Sequence, residues 1–164
     1  MQKGNLFKDK RNLFILLTVI VLIVIDLLTK EWIRTYPLGE VIQRIGFLQI
    51  IHIQNTGAAF GLFQGHATIL AIIAVVEVVV LLALAYLVYR RLPHLVTKWN
   101  LIALGLILGG AIGNLIDRIR FGGNVTDFLD PGFWPTFNAA DSGVTIGTIM
   151  LAITILRLAI KEKR

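Results

Sequence analysis

The sequence lacks several residues on which common catalytic and structural chemistry depends. Its 164 residues include no cysteine, which excludes disulfide bonds, thiolate metal sites and a cysteine nucleophile. The one serine, Ser142, lies in no G-x-S-x-G pattern, and the three histidines are scattered, with no H-E-x-x-H pattern. The sequence therefore disfavours serine and zinc hydrolase chemistry.

Charged residues are also scarce. They make up 16% of the chain, against about 25% in a typical soluble domain, and 56% of the residues are hydrophobic. The apolar residues form four blocks, each near the ~20 residues that a helix needs to cross a bilayer, and the blocks have no polar face at helical spacing. We expect an all-α integral membrane protein, a single membrane domain over residues 1–164, with transmembrane helices at about 13–33, 69–90, 98–119 and 140–160.

The net charge of +6 is explained by membrane topology. Basic residues precede the first helix, lie between the second and third, and end the chain. By the positive-inside rule, both termini and the 90–98 loop are expected to be cytoplasmic. Segments 31–68 and 118–141 are then extracytoplasmic. Because orientation accounts for the basic residues, no nucleic-acid partner is expected.

The first extracytoplasmic segment is long enough to have structure of its own. From Glu40 to Gln54 it reads EVIQRIGFLQIIHIQ, which is rich in β-branched residues and is punctuated by Gly39 and Gly46. The pattern predicts a small β-sheet at the membrane surface, in a segment of about 39–63. Residues 118–141 are expected to form a loop between the third and fourth helices.

Small residues follow one face of the third predicted helix. Gly105, Gly109 and Gly113 recur at four-residue spacing, which allows close contact between helices. Asp117 continues the same stripe one turn later, and ordinary packing does not account for an acid there.

Ionisable residues within or beside apolar helices are costly, by about 2.5–3.5 kcal/mol at the bilayer centre. Asp26 and Lys30 are four residues apart with the acid first, which favours an ion pair within the helix. Asp117 is followed by Arg118, and we expect a positive neighbour to keep Asp117 charged as part of the scaffold. Arg118 itself could reach a polar group of a ligand. The sequence assigns no role to Glu77.

Asp127 and Asp141 have no lysine or arginine between them and lie on the same side of the membrane. Taken alone, Asp127 would be a loop residue and Asp141 a helix N-cap. As a pair at the ends of two connected helices, they could share one proton, so that one acts as a base on water while the other acts as an acid. The sequence does not determine which of them carries the proton.

Five short motifs follow one another along the chain. They are D-L-L-T-K at 26–30, N-T-G-A-A-F at 55–60, G-N-L-I-D-R at 113–118, V-T-D-F at 125–128 and F-N-A-A-D at 137–141. Each is weak alone. In this order, on four predicted helices, the set resembles the bacterial lipoprotein signal peptidases (signal peptidase II) over nearly the whole chain.

The resemblance implies an aspartic endopeptidase of the bacterial inner membrane with its active site near the outer leaflet. Such enzymes remove the signal peptide from prolipoproteins by cutting before a diacylglyceryl-modified cysteine. Membrane lipid and lipid-modified prolipoproteins are the implied partners, no metal or cofactor is implied, and a monomer is expected because one chain supplies the whole site. The implied site comprises the catalytic Asp127 and Asp141, the supporting or substrate-binding Asn55, Gly57, Asn114, Arg118, Asn138 and Ala140, and the structural polar residues Asp26, Lys30 and Asp117.

Two other classes of protein remain open from the residues alone. A small transporter or channel subunit would use Asp26, Glu77 and Asp117 as a path for protons or cations. A structural packing partner would explain the glycines but would leave Asp127 and Asp141 without a role.

Overall fold

Four long helices and a small sheet form the protein, whose computed structural model describes residues 10–56 and 67–162. Each helix contains a stretch that is long and apolar enough to cross a membrane, and a 3₁₀ turn joins the second to the third. The predicted architecture of four membrane helices with a small β-sheet is confirmed. The helices are α1 (Lys10–Ile33), α2 (Ala67–Arg91), α3 (Lys98–Arg120) and α4 (Ala139–Glu162).

Helix α3 is the centre of the bundle. It packs against each of the other three helices, and 56% of its membrane-spanning stretch is buried, whereas the other stretches are buried to 17% or less. Its start is fixed by Thr97, whose hydroxyl accepts the backbone N–H of Asn100 at 3.2 Å. Polar side chains near the C-terminal end of α3 are therefore surrounded by protein rather than by lipid.

Glycines let α1 and α4 approach α3 closely. A Cβ atom added at Gly109 would lie 3.1 Å from the carbonyl oxygen of Val19 in α1, and one added at Gly113 would lie 2.7 Å from Oδ2 of Asp26. On another side of α3, a Cβ at Gly110 would overlap the carbonyl oxygen of Ala140 in α4. The glycine stripe thus faces α1 and brings Asp26 against α3.

The sheet has three antiparallel strands. In chain order they are β1 (Val41–Ile45), β2 (Leu48–Asn55) and β3 (Val125–Asp130), and β2 lies between the other two. Strands β1 and β2 form a hairpin from the segment in which the sequence predicted strands, and Gly46 has φ 62° in the turn between them. Residues 57–63 of the predicted β segment lie outside the described residues.

Strand β3 corrects the prediction that residues 118–141 form a loop. Val125, Thr126, Asp127 and Phe128 are all buried, so this strand lacks the alternation of apolar and polar residues by which half-buried strands are recognised. Glycines at positive φ, 60° at Gly122 and 92° at Gly123, turn the chain from α3 back to the sheet. Asp127 therefore sits in a hydrogen-bonded strand.

The chain between β3 and α4 closes on itself. Leu129 donates its N–H to the carbonyl oxygen of Phe137 at 2.8 Å, and Phe137 donates to that of Leu129 at 3.0 Å. This pair of bonds sets the start of α4 beside β3. As a result, residues separated by a dozen positions in sequence become neighbours at the C-terminal end of α3.

Candidate active site

Asp127 is the more enclosed of the two paired acids. It lies in β3 opposite Ile53 of β2, and only 2% of it is exposed. Its Oδ1 accepts a hydrogen bond from Nδ2 of Asn138 at 2.7 Å, and its Oδ2 accepts one from Nδ2 of Asn55 at 2.9 Å. Both carboxyl oxygens are thus held by neutral amide donors.

Asp141 lies in the first turn of α4 and takes part in a reciprocal cap. Oδ1 of Asn138 accepts the backbone N–H of Asp141 at 2.9 Å, and Oδ2 of Asp141 accepts the backbone N–H of Asn138 at 3.2 Å. This is the arrangement of a capping box, in which Asn138 is the N-cap and Asp141 is the third helical residue. The alternative in which Asp141 is the N-cap is therefore wrong. The N-cap is Asn138, three residues earlier.

Asn138 joins the two acids. It is fully buried, donates its side-chain amide to Asp127 and exchanges two hydrogen bonds with Asp141. Asn114 of α3 adds a further constraint, since its Nδ2 donates to Oδ1 of Asp141 at 2.8 Å. The sequence placed Asn114 and Asn138 around the pair only through family resemblance, whereas the structure gives each a direct contact.

The two acids differ in their electrostatic surroundings. Burial raises the pKa of the Asp127 carboxyl from its ordinary 3.8 to about 7, and the negative charge of Asp141 acts in the same direction. Hydrogen bonds from Asn55 and Asn138, together with the charge of Lys30, oppose this rise in the pKa of Asp127. Asp127 can therefore hold a proton near neutral pH.

Lys30 of α1 occupies the centre of a buried polar cluster beside the pair. Its Nζ is 2.7 Å from Oδ2 of Asp26, the ion pair expected from their spacing, and 3.5 Å from Oδ2 of Asp117. It also donates to Oδ1 of Asn114 at 2.9 Å. Lys30, Asp26 and Asp117 are fully buried. Asn114 therefore connects Lys30 to Asp141, since it accepts a hydrogen bond from the first and donates one to the second. No local pattern in the sequence indicated this connection.

Asp117 is held by α1, and the expectation that its neighbour Arg118 would hold it is wrong. Its Oδ1 lies 2.6 Å from Nη2 of Arg34, and its Oδ2 accepts the backbone N–H of Thr126 at 3.1 Å. Consecutive residues on a helix project about 100° apart, so Arg118 points elsewhere. Thr126 also accepts a hydrogen bond from Nε of Arg34 at 2.9 Å, which fastens β3 to α1 and α3.

The remaining predicted site residues occupy different positions. Ala140 is fully buried and donates its backbone N–H to Oδ1 of Asp26 at 2.9 Å, which ties α4 to α1. Nε of Arg118 is buried and has no hydrogen-bond acceptor among residues 10–56 and 67–162. Gly57 lies outside the described residues. Glu77 is exposed on α2, away from the Asp26–Lys30–Asp117 cluster, so the three acids do not form the path that a transporter would need.

The arrangement suits acid–base chemistry on a water molecule. Two carboxyl groups share one asparagine, and one of them has a pKa near neutrality, which is the condition for paired acids to divide the roles of acid and base. Within the described part of the chain, no three His, Asp or Glu side chains are grouped so that they could hold a metal ion. Asp127, which is buried, and Asp141, which is partly exposed, lie together at one end of a membrane bundle, and this arrangement is typical of the class of membrane-embedded hydrolases.

Comparisons with known proteins narrow this class. Residues 18–157 match the family model described as Signal peptidase (SPase) II. The lipoprotein signal peptidase of Dehalococcoides mccartyi is 50% identical over 115 residues, covering 70% of this chain and 71% of that protein. The lipoprotein signal peptidase of Moorella thermoacetica is 41% identical over 153 residues, covering 92% of this chain and 97% of that protein. A bacterial membrane enzyme solved in meso at 2.3 Å superposes with a TM-score of 0.76 at 32% identity, covering 87% of each chain. The chain belongs to the signal peptidase II family, and it is a peptidase.

Proposed function

We propose that this protein is a membrane aspartic endopeptidase that removes the signal peptide from diacylglyceryl-modified prolipoproteins. It cuts on the N-terminal side of the lipidated cysteine. The observation that carries the proposal is the joining of Asp127 and Asp141, from β3 and α4, through the single buried side chain of Asn138. Membership of the signal peptidase II family supports the choice of substrate.

In the proposed mechanism, Asp127 acts as the acid and Asp141 as the base. Burial and the charge of Asp141 raise the pKa of Asp127 to about 7. Asp141 lies in the first turn of α4, where the partial positive charge of the helix N-terminus favours a carboxylate. It also accepts hydrogen bonds from Asn114 and from the backbone of Asn138. These differences support the assignment of Asp127 as the acid and Asp141 as the base.

Hydrolysis then needs one water and one proton relay. The Asp141 carboxylate takes a proton from a water between the acids as the water oxygen attacks the carbonyl carbon of the scissile peptide bond. Asp127 donates its proton to the nitrogen as the carbon–nitrogen bond breaks. The products are a carboxyl group on the signal peptide and a free amine on the lipidated cysteine. Return of a proton from Asp141 to Asp127 restores the starting state.

The membrane placement proposed for the site follows from the distribution of charge. Basic residues cluster at the chain termini and in the α2–α3 turn, which puts those ends in the cytoplasm of a bacterial inner-membrane protein. The two acids lie at the other end of the bundle, beside the C-terminal end of α3 and the N-terminal end of α4. This end is then near the outer leaflet. Exposed aromatic side chains on the sheet side, including Phe47 and Phe133 with ring centroids 6.1 Å apart, suit contact with the lipid interface. One chain supplies both acids, in agreement with a monomer.

Arg118 gives this site a means of holding substrate. Its Nε is buried and lacks an acceptor among the described residues, and such a donor is costly unless a ligand satisfies it. It lies on α3 one turn beyond Asn114, which contacts Asp141. We assign it to a carbonyl oxygen of the substrate backbone or of the lipid ester.

The proposed substrate is tested with one precursor in two forms. Purified protein in detergent should cleave a diacylglyceryl-modified prolipoprotein and leave the unlipidated precursor of identical sequence intact. Mass spectrometry of the product should find the lipidated cysteine at its N-terminus. Equal cleavage of both forms would refute the lipid requirement. Activity should be unchanged by a metal chelator, and inhibition by chelation would assign the reaction to metal chemistry.

The pH dependence tests the protonation states. Above pH about 7, kcat/KM should fall about tenfold per pH unit, because Asp127 loses the proton that the leaving amine requires. This fall in kcat/KM above pH about 7 reports the titration of the coupled pair of acids rather than of one residue. The measurement is kcat/KM for the lipidated precursor from pH 5 to 9. A value that stays constant or rises across pH 7–9 would rule out Asp127 as the acid.

A further inference from the structure

A cavity lies between the helices at the end of the bundle away from the acid pair. It has a volume of about 490 Å³ and is lined by α1, α2, α3, α4 and the α2–α3 turn. Its wall is largely aliphatic, with Leu81, Leu104, Ile107 and Leu151 among the lining residues. From Asn100, which borders it, to Asn114 at the acid pair is 14 residues along α3, or about 21 Å. The cavity is thus separate from the proposed catalytic site.

Two polar side chains in the wall of the cavity, those of Asn100 and Thr154, are hydrogen-bonded to each other. Thr154 of α4 donates its hydroxyl to Oδ1 of Asn100 at 2.8 Å, and Nδ2 of Asn100 donates to the carbonyl oxygen of Leu95 at 2.8 Å. These bonds join α4, α3 and the turn across the cavity wall. Since they leave neither side-chain group of Asn100 in need of a partner, the part of a ligand that enters the cavity should be hydrocarbon.

The surroundings of the cavity are positively charged. Arg90 lies with its guanidinium 5.8 Å from the ring centroid of Tyr86, a residue that lines the cavity. Arg91 follows at the end of α2, and Lys98 begins α3. No aspartate or glutamate occurs between residues 78 and 116. A ligand with an anionic group outside the cavity would therefore meet complementary charge.

We propose that this cavity binds an acyl chain of an anionic membrane phospholipid, with the phosphate placed against Arg90, Arg91 and Lys98. The proposal concerns a ligand separate from the precursor that is cleaved, and it does not depend on the protease chemistry. Juxtamembrane arginine and lysine residues attract anionic headgroups. The apolar wall suits the acyl chain of such a lipid. Arg90, Arg91 and Lys98, which together form the basic rim of the cavity, suit its phosphate.

The same features disfavour the signal peptide as the occupant. Signal peptides carry a positively charged segment before their apolar stretch, and Arg90, Arg91 and Lys98 would repel it. A lipid with an anionic headgroup avoids this conflict.

Native mass spectrometry of the full-length protein in mild detergent tests the proposal. The probes are phosphatidylglycerol and phosphatidylcholine with identical acyl chains, added in equal amounts. We expect one phosphatidylglycerol to be retained per chain, with about a tenfold preference over phosphatidylcholine, and the Arg90→Gln/Arg91→Gln double variant should lose that preference. Filling the cavity by Leu104→Trp should abolish retention of both lipids.

Matched controls separate this site from general lipid contact. Leu17→Trp makes the same substitution on a face of α1 that is 50% exposed, and it should retain lipid like the unmodified protein. Ala85→Leu fills the cavity from α2 by a smaller change and should also reduce retention, so that misfolding of one variant does not decide the result. Thermal unfolding checks each variant. Equal retention of lipid by the Leu104→Trp, Ala85→Leu and Leu17→Trp variants would show that the cavity does not bind the lipid.

Two further outcomes would also contradict the proposal. Equal retention of phosphatidylglycerol and phosphatidylcholine by the unmodified protein would remove the role of the basic rim. Displacement of bound lipid by a synthetic signal peptide, with binding of that peptide lost in Leu104→Trp, would assign the cavity to the substrate.

Discussion

Replacing either Asp127 or Asp141 with asparagine lowers kcat/KM for the lipidated precursor by about 10⁴-fold or more. An amide has nearly the shape of a carboxyl group but can neither take a proton from water nor give one to the leaving amine. Losses of this size are typical when one member of a catalytic acid–base set is replaced. The measurement is single-turnover cleavage of the diacylglyceryl-modified precursor by each purified variant.

Asp130→Asn is the matched control, because it makes the same substitution on the same strand. Asp130 accepts an exposed hydrogen bond from the backbone N–H of Gly132 at 2.8 Å and takes no part in the hydrogen bonds that join Asp127 to Asp141 through Asn138. This variant should keep nearly full activity. Thermal unfolding is needed for Asp127→Asn, because the new amide would turn a donor toward Asn55 or Asn138, which are themselves donors. Substantial activity in either variant of the pair, with normal folding, would remove that acid from the mechanism.

Lys30→Met should destabilise the protein by about 3–5 kcal/mol, the usual cost of leaving buried charges without their partner. Lys30, Asp26 and Asp117 are fully buried, and Lys30 lies within 4 Å of both acids. Arg34 would still neutralise Asp117, but Asp26 would lose its only ion-pair partner among the described residues. We expect a strongly lowered Tm in detergent and a large loss of activity, since Lys30 also orients Asn114.

Two further variants test whether buried charge causes this effect. Lys161→Met removes an exposed lysine near the end of α4 and should leave the Tm nearly unchanged. Combining Asp26→Asn with Lys30→Met should recover part of the lost stability, because the uncompensated carboxylate is removed. If the double variant were less stable than Lys30→Met alone, the loss would be due to packing rather than to unpaired charge.

Local patterns in the sequence were sufficient for the helices and for one of the ion pairs. The four apolar blocks predicted the four helices because membrane spans need long apolar runs. The four-residue spacing of Asp26 and Lys30 predicted their ion pair because helix geometry fixes that distance. The absence of nearby cations did not by itself single out Asp127 and Asp141, because Asp130 shares it, and the motifs V-T-D-F and F-N-A-A-D made the choice.

Features that depend on contacts between distant segments could not be predicted in the same way. Strand β3 is buried at four consecutive positions, so it carries no alternation, and its partner β2 lies about 70 residues earlier in the chain. The two cations beside Asp117, Lys30 and Arg34, come from α1 rather than from its own helix. The hydrogen bond from Lys30 to Asn114 also joins residues far apart in the sequence, so no local pattern could predict it.

The cap on α4 illustrates why a structural and a catalytic interpretation of Asp141 need not compete. Its backbone N–H and its Oδ2 are both bonded to Asn138, while its Oδ1 is bonded to Asn114. The capping box fixes the rotamer of Asp141 and at the same time connects it to the partner of Asp127. The sequence N-A-A-D could have suggested this box, because it places a capping residue three positions before an acid.

A double-mutant cycle on the two acids tests most directly whether they act as one catalytic unit. The measurement is kcat/KM for the lipidated precursor with the unmodified protein, Asp127→Asn, Asp141→Asn and the combination of the two. If the acids share a single proton relay, the double variant should be no slower than the slower single variant, because the relay is already broken. Losses that multiply in the double variant, as they do for independent sites, would contradict a shared mechanism.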